Sequence, residues 1–267
     1  TQIYELQTVF GFFPHAALEN QVGLPTTDQQ RDWLVRDSDY AMDLGERPEH
    51  LCSGTLRLAE PMLCMLDRVT GYWPEAGDAG LGVLRGEKDV DPSEWFFKAH
   101  FFQDPVQPGS LGIEAMLQLL QVYMIERGLG EGLEGARFEP LHIGAETSWK
   151  YRGQVVPTNR LISTTLEILE VGEDDEGCVF ATGRASLWVD GRRIYEADPI
   201  GMRVRPGLVV AQSDEVCTEP PELEALEPEE EASDLPEAAD SSARHVDAEP
   251  SVEASMDVER TQRSEPS

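Results

Sequence analysis

One apolar segment that follows a proline-glycine turn constrains the fold of this chain more than any other feature. It runs from residue 109 to about 128 and reads GSLGIEAMLQLLQVYMIERG. At 3.6 residues per turn, its apolar side chains lie on nearly every face, which is the pattern of a helix enclosed by other elements. Pro105 and Pro108 exclude the residues before Gly109 from the helix. The sequence therefore predicts one long, central, covered helix.

Strand-like runs rich in β-branched and aromatic residues flank this helix on both sides. They are 62–73, 81–90, 137–151, 160–171, 178–189 and 192–204. Asp190-Gly191, between the last two runs, is a two-residue hairpin signal. Strands, then one helix, then a meander indicate an α+β fold with an antiparallel sheet rather than βαβ units.

Charge is concentrated at the C-terminal end of the sequence. The 267 residues carry a formal net charge of −30, and residues 207–267 hold 18 acidic and 3 basic side chains without any aromatic residue. Such a stretch cannot bury enough apolar surface to offset its ordering entropy, so we expect an acidic disordered linker there. The domain itself is predicted at 56–206. The first strand-like run, before Pro14, either adds to the sheet of this domain or ends a preceding one; we favour the second, with a polar loop at 23–32.

The overall charge and the apolar runs exclude several classes of function. A chain this acidic is repelled by phosphate backbones, so nucleic-acid binding is not expected. No apolar run approaches the ~18–20 residues that span a bilayer, and no signal sequence is recognisable. The four scattered cysteines show no zinc spacing. We expect a cytoplasmic protein with reduced thiols, no metal and no membrane partner.

The candidate reactive groups lie around the start of the predicted helix. His100 stands among phenylalanines, and Glu114 is a carboxylate in the second helical turn. Taken alone, each has a structural explanation, as a core histidine and as a helix-start glutamate. Together they could move a proton at carbon 2 of an acyl thioester and assist the departure of a hydroxyl from carbon 3. The backbone N–H of Gly109 could stabilise the thioester oxygen.

This block resembles the active-site block of a known enzyme family. His100-Phe-Phe-Gln-Asp-Pro-Val-Gln-Pro-Gly-Ser-Leu-Gly-Ile-Glu-Ala-Met-Leu-Gln is similar to that of the β-hydroxyacyl-acyl carrier protein dehydratases, above all the β-hydroxydecanoyl branch, which also isomerises its product. The resemblance covers roughly 58–206 and continues through Tyr151-Arg-Gly-Gln-Val-Val-Pro-Thr. It implies a hot-dog fold, an antiparallel sheet wrapped around one long central helix. It also implies that His100 is the catalytic base, Glu114 the acid and Gly109 the backbone donor.

The resemblance further implies partners and a substrate carrier. In this family two hot dogs pair, and each site takes the histidine from one and the acid from the other, as a homodimer or a covalent double hot dog. The acyl chain is carried on the phosphopantetheine of an acyl carrier protein, and no other cofactor is expected. Residues 1–55 then look like the end of a preceding hot dog plus a linker, because FGFFPHAALENQVG resembles such a junction in polyunsaturated fatty acid or polyketide-type synthases.

Further contacts and alternatives complete the prediction. Substrate contacts are expected at Gln118, Phe101 and Pro108, and Gln118, one turn along the helix, could hydrogen-bond either Glu114 or the substrate hydroxyl. Weak candidates for carrier-protein contact are four basic residues, although a solvated sheet face also explains them: Lys150, Arg152, Arg192 and Arg193. The isomerising branch usually has Asp where this chain has Glu114, so dehydration is expected ahead of isomerisation. The alternative functions are a non-catalytic hot-dog module, for pairing or carrier docking, and a hot-dog thioesterase.

Overall fold

The computed structural model describes residues 22–207 except 140, 141, 143, 144 and 146. The predicted acidic linker therefore lies almost wholly outside the described residues, as does the strand-like run before Pro14.

The described chain forms four α-helices and eight strands. The helices are α1 (Asp28–Val35), α2 (Glu49–Cys52), α3 (Phe96–Ala99) and α4 (Gly109–Glu126), with a 3-10 turn at Pro61–Leu63. The strands are β1 (Met42–Asp43), β2 (Arg68–Trp73), β3 (Val83–Asp89), β4 (Arg137–Phe138), β5 (Trp149–Tyr151), β6 (Leu161–Glu173), β7 (Val179–Val189) and β8 (Arg192–Arg205). All pairs are antiparallel, in the order β1-β2-β3-β6-β7-β8-β4, and β5 also pairs with β8.

The sheet curls around α4, and the core lies between them. Leu119 and Leu120 of α4 are fully buried against the inner sheet face, which supplies Leu84, Leu166 and Leu187. Burying such a side chain stabilises the fold by roughly 1.5–3 kcal/mol each. The predicted α+β class and the hot-dog fold are both confirmed.

Helix α4 ends two residues earlier than predicted, and one of its faces is open. Gly128 adopts φ 65°, its N–H bonds the Ile125 carbonyl, and the Leu129 N–H bonds the Met124 carbonyl. This is a Schellman ending, which needs a left-handed residue at Gly128. Near the other end, Ser110 is exposed and Glu114 is only half-buried. The prediction of a helix covered on every face is therefore wrong for this stripe.

Three local predictions were also wrong. The run 62–73 divides into the 3-10 turn and β2, and the run 137–151 contains only the short strands β4 and β5. The predicted polar loop at 23–32 contains the start of α1. Thr27 and Gln30 form a capping box at the start of this helix. The Thr27 hydroxyl accepts a hydrogen bond from the Gln30 N–H, and the Gln30 side-chain oxygen accepts one from the Thr27 N–H.

The segment from Leu24 to 57 packs on the sheet. Arg193 of β8 donates to the Pro25 carbonyl at 2.9 Å, and Arg85 of β3 donates to the Trp33, Leu34 and Arg36 carbonyls at 2.8–3.1 Å. Farther on, β1 pairs with β2, and Leu44 and Leu51 enter the core. Packing is thus continuous across residue 55. The assignment of 1–55 to a preceding hot dog stays a prediction.

Candidate active site

His100 is held in one orientation by the backbone that follows it. Its Nδ1 lies 3.0 Å from the Val106 carbonyl oxygen, and its ring stacks on Phe101 with centroids 4.0 Å apart. A carbonyl oxygen can only accept, so Nδ1 carries the hydrogen. In the neutral ring Nε2 then has the free lone pair, which is the form that a general base requires.

The proline-glycine turn presents the N-terminus of α4. The Gln107 N–H bonds the Val155 carbonyl at 3.0 Å, which ties the turn to the residues after β5. Pro108 is the N-cap and supplies no side-chain cap. The Leu111 N–H bonds the Pro108 carbonyl, whereas the Gly109 N–H has no backbone acceptor within the described residues. The helix therefore offers a backbone donor at the position that the sequence predicted.

An aromatic wall stands directly over Gly109. A Cβ at this position would lie 3.2 Å from Tyr151 Cε2 and 3.3 Å from Trp149 Cη2, so glycine permits the close approach of β5. Tyr195 stacks on Tyr151 with centroids 4.7 Å apart. Burial, with the neighbouring Tyr151 hydroxyl, raises the pKa of Tyr195 and keeps this phenol neutral. The wall is thus uncharged and largely apolar.

Glu114 is held by Gln118, one turn further along α4. The Gln118 Nε2 donates to Glu114 Oε1 and to the Leu63 carbonyl, both at 2.8 Å, and its Oε1 accepts from the Met65 N–H at 2.7 Å. The Gln118 side chain is fully buried. Both of its amide hydrogens are used, and the bond to Glu114 is one of the two contacts expected from the sequence, whereas the contact of Gln118 with a substrate stays a prediction.

His100 and Glu114 are held by different hydrogen-bond partners. No hydrogen bond joins His100 to Glu114 in the described chain, and both side chains are half-buried. Beside His100, the Phe101 and Phe102 side chains are 56% and 91% exposed. Adjacent exposed phenylalanines are typical of a surface that a partner or ligand covers. The roles predicted for His100, Glu114, Gly109, Phe101 and Pro108 stay predictions.

The four basic residues predicted to contact a carrier differ from one another. Lys150 is exposed and pairs with Glu196 at 2.6 Å, and this bond lowers the pKa of Glu196. Arg152 and Arg192 are also exposed. Arg193 is only 4% exposed and donates to the Ser186 hydroxyl and the Pro25 carbonyl. The prediction for Arg193 is therefore corrected: it anchors the N-terminal segment and cannot reach a docked protein.

A cluster of possible metal ligands lies elsewhere on the sheet. Ligand atoms of Asp174, Glu176 and Cys178 lie within 4.8 Å of one another. However, Arg203 Nη1 lies 2.7 Å from Asp174 and 3.1 Å from Glu176, and the guanidinium also forms a two-bond pair with Glu139. The arginine supplies the positive charge that this cluster needs.

None of the described helices has both the length and the apolar character that crossing a membrane requires.

Two buried polar residues, Gln107 and Arg85, were not predicted from the sequence. Gln107, inside the turn, is buried, and its side-chain oxygen has no partner among the described residues. Arg85 joins the N-terminal segment to β3. A glutamine between two prolines carries no recognisable signal. An arginine in a strand with apolar neighbours is a signal, because a buried charge needs partners.

Comparison with known proteins gives one family and several relatives. Residues 58–198 match the model of the FabA-like domain. The chain is 30% identical over 222 residues to one of the subunits of the polyunsaturated fatty acid synthase of Thraustochytrium sp., a match that covers 79% of this chain and 15% of that protein. The chain thus spans about a seventh of that relative's length.

Two solved structures give weaker matches. The dehydratase heterocomplex ApeI:P of Xenorhabdus doucetiae is 14% identical with a TM-score of 0.39, and the match covers 56% of this chain and 88% of that one. A mutant thioesterase of Pseudomonas aeruginosa is 12% identical with a TM-score of 0.33, over 52% of this chain and 82% of that one.

Proposed function

The chain belongs to the FabA-like domain family, and on this premise we propose that it removes water from 3-hydroxyacyl thioesters to give trans-2-enoyl thioesters. The substrate would be carried on the phosphopantetheine of an acyl carrier protein during fatty acid or polyunsaturated fatty acid synthesis. The similarity to part of a polyunsaturated fatty acid synthase supports this setting.

The observation that carries the proposal is the bond between His100 Nδ1 and the Val106 carbonyl. It keeps the basic nitrogen of the neutral ring at Nε2, and the rigid turn connects this ring to the free N–H of Gly109. A base and an oxyanion donor held by one short segment suit the removal of a proton next to a thioester carbonyl.

The proposed reaction balances with the groups that the chain supplies. His100 Nε2 takes a proton from carbon 2, and the negative charge that develops on the thioester oxygen is stabilised by the Gly109 N–H. The bond between carbon 3 and oxygen then breaks, and Glu114 gives its proton to the leaving hydroxyl, so that water departs. His100 ends protonated and Glu114 ionised, and proton exchange with solvent resets both.

A second hot-dog domain would complete each site. The half-buried stripe of α4 that carries Glu114 and the exposed Phe101 and Phe102 both leave space for another domain. Covering this surface would exclude water from the site, which strengthens the hydrogen bonds that the proposed mechanism uses. We propose a homodimer or a covalent double hot dog.

Carrier docking would depend little on attraction between opposite charges. The loop between β6 and β7 reads GEDDEG at 172–177, which would repel an acidic carrier protein. Lys150 and Arg152 are exposed close to Trp149 and Tyr151, and they are the candidate contacts for the carrier. A covalently attached carrier needs little attraction because its linker supplies effective concentration.

The test is hydration of a trans-2-enoyl thioester by the purified chain. His100→Ala and Glu114→Gln should each reduce the rate at least about 100-fold, which is the usual contribution of a general acid or base. The matched controls are His50→Ala and Glu126→Gln, which exchange the same residue types where His50 pairs with Glu126 at the far end of α4. Equal rates for all five proteins would reject the proposal.

Two further measurements separate the alternatives. Release of free thiol would favour a thioesterase, and formation of a 3-enoyl product would add isomerisation. If two chains share each site, mixing His100→Ala with Glu114→Gln chains should restore about a quarter of the wild-type rate, because half of the dimers are mixed and each mixed dimer has one intact site. No recovery in a stable mixed dimer would reject sharing of the site.

A further inference from the structure

Gln107 is a buried polar side chain that lacks a partner. It is only 2% exposed, and its Oε1 has no hydrogen-bond donor among the residues that the structure describes. An unpaired buried acceptor costs about 1–3 kcal/mol. Native proteins keep few such groups, and each has a reason. The simplest reason is a donor that arrives from outside this chain.

The neighbours of Gln107 both belong to the candidate site. Val106, before it, accepts the hydrogen bond from His100, and Pro108, after it, caps α4 next to the free N–H of Gly109. The bond from the Gln107 N–H to the Val155 carbonyl fixes the backbone between them. The Gln107 backbone is therefore fixed between the residue that orients His100 and the residue that precedes the helix N-terminus.

On the basis of the function proposed above, we propose that Gln107 Oε1 accepts a hydrogen bond from the 3-hydroxyl group of the substrate. A hydroxyl can donate its hydrogen to one group while its oxygen accepts from another, so this contact coexists with the contact from Glu114. The hydroxyl O–H bond stays intact throughout, and the group leaves as water. Gln107 orients the leaving group and takes no part in proton transfer.

This contact would also give the site a preference for hydroxylated acyl chains. A saturated acyl thioester has no hydrogen to donate at carbon 3, and it would leave the buried oxygen unpaired. Sites built to bind a substrate hydroxyl reject analogues without it for this reason. Gln107 would therefore distinguish the dehydratase substrate from the saturated chain that fatty acid synthesis produces after reduction.

The test measures binding in a chain that cannot turn the ligand over. His100→Ala and His100→Ala/Gln107→Met are each titrated with a 3-hydroxyacyl pantetheine thioester and with the saturated thioester of the same length. Loss of one buried hydrogen bond should weaken binding of the hydroxylated ligand about tenfold and leave the saturated ligand unchanged. His100→Ala/Gln29→Met, which makes the same exchange on exposed α1, should bind both ligands as His100→Ala does.

Three results would overturn this inference while the proposed function stands. They are unchanged binding of both ligands by the Gln107 variant, an equal loss for both ligands, and a change in oligomeric mass, which would place the missing donor on a partner chain. The proposed function is tested by a different measurement, and it fails if the wild-type chain does not hydrate enoyl thioesters.

Discussion

Gly112→Ala tests the packing that positions the N-terminal part of α4. In an ordinary helix interior this exchange stabilises by about 1 kcal/mol, because glycine has the poorer helix propensity. At residue 112, however, an added Cβ would overlap the Tyr195 ring, with Cε2 the nearest atom and Cδ2 the next at 2.6 Å. Carbon atoms pack at about 3.5–4.0 Å, so the ring must move by more than about 1 Å.

The surroundings of Tyr195 resist this movement. Its side chain is fully buried and stacks on Tyr151, which in turn contacts the Gly109 position. Overpacking costs about 1–3 kcal/mol, and this rigid site belongs at the upper end of that range. After the gain in helix propensity, we expect Gly112→Ala to lower the free energy of unfolding by about 2 kcal/mol.

Urea unfolding followed by circular dichroism measures this change. Gly109→Ala is the graded comparison, because its Cβ would meet the partly exposed Tyr151 and Trp149 rings at 3.2–3.3 Å, where a small shift suffices. In a Tyr195→Val background, Gly112→Ala should become neutral or stabilising, so that the two changes couple by about 2–3 kcal/mol. An unfolding free energy that rises in the wild-type background would refute the packing argument.

Three further changes have expected outcomes. Gln118→Leu should cost about 2–3 kcal/mol in urea unfolding, because it leaves the buried Met65 N–H and the part-buried Leu63 carbonyl without their partner, and it should lower kcat more than it changes KM because Glu114 loses its support. Arg85→Met should cost about 2–3 kcal/mol and speed amide exchange across 28–36, since three carbonyls lose their donor. The Arg203 guanidinium holds the pKa of Glu139 below its usual 4.5. This pair therefore stabilises the fold fully above pH 4.5, and its contribution is lost as the pH falls through the lowered pKa. The difference in thermal midpoint between wild type and Glu139→Gln should shrink on acidification.

The parts of the fold with strong local signals were predictable from the sequence. Helix α4 has its boundary set by Pro108 and Gly128, which act through rules that depend on neighbouring residues only. The hairpin between β7 and β8 is another case, because Asp190 and Gly191 both adopt positive φ, as a two-residue turn requires.

The other features depend on distant residues. The bounds of strands β4 and β5 are set by the residues of β8 that pair with them, and their own composition does not determine those bounds. The spacing of four residues indicates the contact between Gln118 and Glu114, but the partners of Gln118 at Leu63 and Met65 are more than 50 positions away along the chain, where no spacing rule applies. The start of helix α1, by contrast, has a local signal in the sequence, because Thr27 and Gln30 have the spacing of a capping box.

The chain supports the two groups of the proposed mechanism separately. A direct hydrogen bond between His100 and Glu114 would occupy one of the atoms that this mechanism needs. Instead, a carbonyl fixes the hydrogen of His100 on Nδ1, and the Gln118 amide donates to Glu114 Oε1. In the proposed mechanism Glu114 donates from its other oxygen, Oε2, which this bond at Oε1 leaves available. Among the described residues, His100 Nε2 and Glu114 Oε2 thus have no hydrogen-bond partner, and a substrate lying between two such surfaces would connect them.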